Sequence, residues 1–247
     1  MSAQEDTFIS HLVELRDRLL RAVVAIAVAF VCLMPWAGEI YDILAHPMMQ
    51  ALPEGTRMIA TGVVTPFFVP MKVTLLVAFV VALPFVLYQA WCFIAPGLYA
   101  HEKRLGLPLV IGSTILFLAG MAFCYFFVFG TVFKFIAQFS PKSITPAPDI
   151  EQYLAFVMSM FLAFGITFEV PVFVIVLVKL GVVDVPKLKE ARPYVIVGAF
   201  IVAAVVTPPD VVSQLMLAIP MCLLYELGIF LARFVTKTRA DAVAEES

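Results

Sequence analysis

The sequence has too little charge for a water-soluble protein. Only 14% of its 247 residues are charged, 63% are hydrophobic, and the mean hydropathy is +1.03. A soluble domain of this composition could not cover its surface with polar side chains, so the chain is expected to lie in membrane lipid. The net charge of −2 gives no basic surface for DNA or RNA, and no nucleic-acid partner is expected.

Residues that bind metals or perform catalysis are equally scarce. The four cysteines are scattered through apolar runs without Cys-x-x-Cys spacing, which argues against a metal site or a disulfide framework. The three histidines, His11, His46 and His101, fall in separate interfacial segments. The sequence contains no phosphate-binding loop, no His-Glu-x-x-His pair and no Gly-x-Ser-x-Gly elbow. We therefore expect no metal, no cofactor and no enzymatic activity.

Six hydrophobic stretches come near the roughly 20 residues that a helix needs to cross a membrane. They cover residues 19–36, 67–93, 105–135, 153–180, 194–206 and 211–234. The predicted fold is all-α, a polytopic membrane protein whose six transmembrane helices are kinked by prolines into a concave arrangement. The last two helices are expected to be short, because prolines bound the fifth and Glu226 interrupts the sixth.

The predicted domain organisation is simple. Residues 1–239 would form a single six-helix membrane domain, and residues 240–247 a flexible cytoplasmic tail. An amphipathic N-terminal helix would lie along the interface before the chain turns into the first span. Helical caps would fill the long loop between the first two spans, residues 37–66.

Lysine and arginine residues predict the orientation of the spans. Twelve of the 16 fall on the side of the membrane that holds both termini, three fall on the other side, and Lys72 lies inside the second span. Cytoplasmic loops carry the excess of basic residues in multispanning proteins. Both termini are therefore predicted to be cytoplasmic, with membrane lipid around the spans.

Two carboxylates on the predicted cytoplasmic side could bind arginine. Glu14 lies in the N-terminal helix, four residues before Arg18, and the simpler interpretation is a solvated helix face with a local Glu14–Arg18 ion pair. Glu102 lies in the short loop before the third span. Together, the two carboxylates could each hold a guanidinium group in bidentate geometry.

Glu169 is the least ordinary residue, because it lies well inside the fourth span. An ionised carboxyl in lipid costs several kcal/mol, so such a residue often marks a functional site. Pro171 is expected to kink the helix beside it. The alternatives are a neutral glutamic acid hydrogen-bonded within its own bundle, or the proton site of a proton-coupled secondary transporter. Asp210 and Gln214, at the start of the sixth span, are more simply a helix cap and a packing residue.

Six short strings occur in an order and spacing that resemble the TatC family of twin-arginine protein translocases. They are HLVELR (11–16), MIAT (58–61), FIAPGL (93–98), AFGITFEVP (163–171), RPY (192–194) and VTPPD (206–210). The resemblance extends from the N-terminus to the sixth span. Two positions depart from the expected pattern, since Asp17 stands where a basic residue is expected and Lys103 where arginine is expected.

The resemblance implies a receptor in the bacterial inner membrane that binds the Arg-Arg signal peptide of folded cargo. It also implies recruitment of two single-span partners, TatB and TatA, and association with other copies of the chain. The implied signal-peptide residues are Glu14, Glu102, Arg16 and Phe93. The implied partner contacts or intramembrane polar sites are Glu169, Gln214, Asp210 and Pro47.

Overall fold

The computed structural model describes residues 2–51, 57–94, 103–139, 147–207 and 210–245. Nearly all of these residues are helical, and the described part of the chain contains no β-strand beyond an isolated bridge between Ile59 and Asp149. The α-helices are α1 (Ser2–Leu33), α2 (Ala37–Ala51), α3 (Thr65–Ile94), α4 (Lys103–Phe123), α5 (Phe129–Phe139), α6 (Ile150–Phe168), α7 (Val170–Lys179), α8 (Val185–Glu190), α9 (Arg192–Val206) and α10 (Val211–Glu245).

Two short elements join helices without an intervening loop. A 3-10 turn, Met34–Trp36, joins α1 to α2, and a π-helical turn, Cys124–Val128, joins α4 to α5. Helix α1 itself is uninterrupted from Ser2 to Leu33, whereas we expected the chain to turn between an interfacial helix and the first span. The absence of proline and glycine from α1 explains the continuity, since these residues break helices most readily.

Five helical stretches are long and apolar enough to cross a membrane. They are His11–Gln50, Thr65–Ile94, Gly106–Ile136, Ile150–Lys179 and Val211–Arg233, and the shorter apolar helix Arg192–Val206 is the sixth element predicted from hydropathy. This confirms the all-α polytopic fold. The predicted shortness holds for α9 but is wrong for α10, whose apolar part has 23 residues. Glu226 does not end that helix, and its Oε2 accepts a hydrogen bond from Arg192 Nη2 at 2.6 Å.

The chain forms two compact units. The first contains Met1–Tyr41 and Pro70–Thr114. Its buried residues include Val73, Leu83 and Trp91, and the Trp91 indole donates a hydrogen bond to Ser113 Oγ at 2.9 Å. Much of α1 remains exposed, including Val24, Val28 and Val31. Exposed apolar side chains of this kind are what a lipid-facing helix requires, because lipid replaces water around them.

The second unit contains Asp42–Val69 and Ile115–Ser247, with a core that includes Phe129, Met160, Phe164, Leu217 and Ile229. Glycine allows two of its helices to approach closely. A Cβ atom on Gly120 of α4 would lie 2.5 Å from the carbonyl oxygen of Phe164 in α6. A Cβ atom on Gly165 would overlap the ring of Phe117. Small residues commonly permit such backbone approach between membrane helices.

Candidate functional site

Glu14 on α1 already holds a guanidinium group from its own helix. Arg18 donates from Nε and Nη2 to Glu14 Oε1, at 2.9 and 2.6 Å. Arg18 Nη1 also donates to the side-chain oxygen of Gln89 on α3, at 3.4 Å. The simpler interpretation of Glu14, a local ion pair one helical turn long, is therefore confirmed, and Gln89 extends the pair to a second helix.

The remaining carboxylate oxygen of Glu14 faces an aromatic neighbour. Glu14 Oε2 lies 3.8 Å from His11 Nδ1, beyond hydrogen-bonding distance. The His11 ring stacks on Phe93, with 4.6 Å between ring centroids and 20° between the planes. Phe93, which the resemblance predicts as a site residue, therefore contacts α1 through the His11 ring. A carboxylate and an apolar aromatic face are brought together here.

Arg16 and Asp17 form a separate ion pair on α1. Arg16 donates from Nε and Nη2 to Asp17 Oδ1, at 2.9 and 2.7 Å, and both side chains are exposed to solvent or lipid. The acidic residue that departs from the expected family pattern therefore pairs with the neighbouring site residue. Glu102, the second predicted recognition carboxylate, lies outside the described residues.

Glu169 lies between α6 and α7 and is buried, with only 4% of its surface exposed. The helix is interrupted at this residue, and Pro171 stands in the first turn of α7. The interruption lies where the sequence predicts a kink beside the carboxyl. Gly228 of α10 packs against the same place, since a Cβ atom there would lie 3.0 Å from the Pro171 Cα atom.

Asp210 and Gln214 form hydrogen bonds at the beginning of α10. Asp210 Oδ1 accepts a hydrogen bond from the Ser213 amide at 2.7 Å, which is helix capping as expected for aspartate. Gln214 donates from Nε2 to the carbonyl oxygen of Phe200 in α9, at 3.3 Å. The cap and packing interpretations of these two residues are therefore confirmed.

Pro47 lies inside α2, which two tyrosine hydroxyl groups hold from other helices of the second unit. Tyr125 donates to the carbonyl oxygen of Ile43 at 3.0 Å, and Tyr153 donates to that of Leu44 at 2.7 Å. The predicted helical caps between the first two spans are confirmed for residues 37–51, which form α2.

The string at residues 58–61 is held by Asp149, in an arrangement that we call the Thr61–Asp149 clasp. The Asp149 carboxylate accepts hydrogen bonds from the Thr61 amide at 3.0 Å and the Thr61 hydroxyl at 2.7 Å, and also from the Glu151 and Gln152 amides. Ile59 pairs with the adjoining backbone through two further hydrogen bonds. The Thr61 hydroxyl, followed by the Gln152 amide, lowers the pKa of Asp149 below its ordinary value.

Comparison with known proteins gives these sites a context. The family model described as "Sec-independent protein translocase protein (TatC)" matches residues 10–220. TatC of Halothiobacillus neapolitanus is 52% identical over 97% of this chain and 67% of its own length. TatC of Escherichia coli K12 is 49% identical over 93% of this chain and 90% of its own.

A solved structure agrees with the sequence relatives. The crystal structure of the twin-arginine translocase receptor TatC is 40% identical, covers 92% of this chain and 99% of its own, and superposes with a TM-score of 0.80. The chain belongs to the TatC family. It is a multi-pass membrane protein that acts as the TatC subunit in Sec-independent protein transport, and not an enzyme. The proton-coupled transporter alternative is set aside accordingly.

Several contacts in this TatC-family chain were not expected from its sequence. They are the pairing of Arg18 with Gln89, the stacking of His11 on Phe93, the Arg192–Glu226 ion pair, the Thr61–Asp149 clasp and the Tyr125–Ile43 hydrogen bond. Each joins residues far apart in sequence. The strings at residues 58–61 and 192–194 each contain one residue of these contacts, but the sequence did not indicate the partner of that residue.

Proposed function

We propose that this TatC subunit resides in the bacterial inner membrane with both termini in the cytoplasm, and that the α1 site around Glu14 binds the arginine pair of twin-arginine signal peptides. The orientation follows from the twelve-to-three distribution of basic residues. The similar crystal structure is described as that of a twin-arginine translocase receptor, which supports the binding role. Single cysteines introduced at positions 103 and 149 can be labelled in intact cells to test the orientation. Labelling at position 103 alone would contradict the proposed orientation.

The observation that carries the proposal is the guanidinium already bound at Glu14. Arg18 approaches one carboxylate oxygen with two nitrogen atoms, at 2.9 and 2.6 Å, so the site accommodates the planar fork of an arginine side chain. Oε2 of the same carboxylate makes no hydrogen bond to any residue that the structure describes within the first unit. A peptide guanidinium can therefore bind Oε2 beside Arg18 or replace Arg18 at Oε1.

Arginine is favoured over lysine by this chemistry. Guanidinium remains charged at all physiological pH values and offers five donors in a fixed plane, whereas an ammonium group offers a single strongly hydrated centre. The stacked His11 and Phe93 rings supply a neighbouring flat surface for an arginine or for an apolar peptide residue. Glu102 is included as the second carboxylate on the strength of the family resemblance.

The same subunit is proposed to recruit TatB, TatA and further copies of itself through its second unit. The candidate residues are Glu169, Asp210, Gln214 and Pro47. Three of them lie at a helix break or at the beginning of a helix, and the Glu169 side chain is buried at the interruption between α6 and α7. We infer that Glu169 affects partners mainly through the shape of this interruption, because a buried carboxyl offers little surface to another helix.

The experiment is binding of an Arg-Arg signal peptide and its Lys-Lys counterpart to the full-length chain in lipid nanodiscs. Glu14→Gln and Glu102→Gln should each weaken Arg-Arg binding roughly 10- to 100-fold, the effect of losing a charge-assisted hydrogen bond of about 1.5–3 kcal/mol. Asp17→Asn is the matched control, since Asp17 lies on the same helix but pairs with Arg16. Equal affinity for both peptides, or unchanged affinity in both glutamine variants, would contradict the proposal.

A further inference from the structure

Pro47 creates an unusual acceptor inside α2. In a regular α-helix, the amide of residue 47 would donate to the carbonyl oxygen of residue 43. Proline has no amide proton, so Pro47 cannot make this bond and the Ile43 carbonyl lacks its helical donor. A carbonyl group in this position is stabilised only if another donor reaches it.

Tyr125 supplies that donor from a different helix. Its hydroxyl group lies 3.0 Å from the Ile43 carbonyl oxygen and donates to it. Tyr125 belongs to the π-helical turn Cys124–Val128, which carries one more residue per turn than an α-helix and so alters the direction of the side chains around it. Such turns are rare and often occur at functional positions. The hydrogen bond from Tyr125 to Ile43 thus joins the proline-containing helix α2 to the π-helical turn.

A neighbouring hydrogen bond shows the ordinary case. Tyr153 donates to the Leu44 carbonyl oxygen at 2.7 Å. The helical donor for Leu44 is the amide of Met48, which does not depend on residue 47. Leu44 and Ala45 are buried, whereas the Ile43 side chain is exposed, so apolar packing contributes more at Leu44 than at Ile43. The Tyr125 bond is consequently the main attachment at the Ile43 position.

We propose that Pro47 is a positioning residue that acts through Tyr125: by withholding an amide from Ile43, it reserves that carbonyl for the tyrosine hydroxyl and so fixes α2 to the π-turn of the third span. Pro47 then contributes to the proposed partner recruitment through the position of α2. This role is independent of signal-peptide binding at Glu14.

A double-mutant cycle tests the proposal in the full-length chain in nanodiscs, with hydrogen exchange of the α2 amides as the measurement. Tyr125→Phe should speed exchange roughly fivefold, equivalent to about 1 kcal/mol of lost hydrogen bonding. In a Pro47→Ala background, the new amide of residue 47 can donate to Ile43. Tyr125→Phe should then change exchange less than about twofold.

Tyr153→Phe is the matched control, because its acceptor keeps the same helical donor in either background. It should speed exchange of the α2 amides by the same factor with proline or alanine at position 47. The proposal is overturned if Tyr125→Phe has equal effects in the two backgrounds, or if Pro47→Ala alters the Tyr153→Phe effect as much. A second measurement is hydrogen exchange of the new amide at position 47 in the Pro47→Ala variant. This exchange should be slow, and fast exchange would contradict the proposal.

Discussion

Two glutamates in this TatC subunit differ in nearly every physical respect. Glu14, in the first unit, has 39% of its side chain exposed and holds the guanidinium of Arg18. Glu169, in the second unit, is 4% exposed and lies where α6 ends and α7 begins. An exposed, paired carboxylate can exchange one guanidinium for another at little cost. A carboxyl buried among apolar helices cannot meet a soluble ligand without opening the structure.

The environment therefore decides the role of each carboxyl group. Arginine exchange at Glu14 suits the binding and release of many different signal peptides, because an exposed ion pair is worth only about 0–1 kcal/mol. The interruption at Glu169, with Pro171 following and Gly228 packed against it, suits a fixed bend in a membrane helix. Under the proposed function, peptide recognition and helix shape therefore fall in different units of the chain.

Substitution of the two glutamates gives the largest expected effects and tests directly whether their roles are separate. Glu14→Gln should weaken Arg-Arg peptide binding roughly 10- to 100-fold and leave partner crosslinking intact. Glu169→Ala should leave peptide binding within about twofold and lower crosslinking to single-span partners roughly 3- to 30-fold, the range expected when one polar contact that shapes the helix interruption is lost within the bundle. Glu169→Gln should retain part of the crosslinking, since the amide keeps the shape and hydrogen-bonding capacity.

Peptide binding and crosslinking are measured in the same membranes, so that loss of the protein is distinguished from loss of a contact. Weak peptide binding in Glu169→Ala would show that the two units are not functionally separate. Unchanged crosslinking in the same variant would remove Glu169 from partner recruitment.

Hydropathy and proline positions were sufficient to predict much of this fold. The predicted spans 67–93 and 211–234 lie within a few residues of Thr65–Ile94 and Val211–Arg233. Both predictions rest on local properties, namely apolar length and helix-breaking residues. The bounds of the sixth span were predicted well, but the expected interruption at Glu226 was wrong; the sequence did not indicate its partner Arg192, which is 34 positions earlier.

Contacts of the candidate sites were predictable only where both residues share a helix. The Glu14–Arg18 pair follows from four-residue spacing, and the Asp210 cap from its position before α10. The His11–Phe93 stack and the Tyr125–Ile43 bond depend on how separate helices are aligned. The π-turn that carries Tyr125 adds a residue to one helical turn, and no periodic pattern in the sequence indicates it.

Asp149 is a third kind of carboxyl group. Like Glu14 it is partly exposed, but it accepts hydrogen bonds from a hydroxyl and three backbone amides, and pH tests its role. Its pKa is lowered by the Thr61 hydroxyl and neighbouring amides, so the clasp contributes stability above the ordinary aspartate pKa of about 3.9 and loses it as pH falls through the lower folded value. The protection factor of the Thr61 amide, which corrects for the intrinsic pH dependence of exchange, should therefore decrease as the pH drops below about 4. In Asp149→Asn, which keeps one acceptor oxygen and does not ionise, that pH-dependent decrease should disappear. Its persistence would assign the acid sensitivity to another group.

The smallest expected effect concerns Arg18, which competes with the peptide for Glu14. If guanidinium exchange is the binding step, Arg18→Gln removes the competitor, and Arg-Arg peptides should bind up to about fivefold more tightly, as expected from a partly exposed ion pair of about 1 kcal/mol or less. Arg21→Gln is the matched control, since it removes the same charge from α1 one turn further along the helix, outside the predicted binding residues, and should leave affinity unchanged. The same titrations at low and high salt separate charge effects from packing, because the gain in Arg18→Gln should shrink as salt screens the pair. Weaker binding in Arg18→Gln would mean that Arg18 holds Glu14 in its binding orientation, and that the peptide adds to the pair without replacing it.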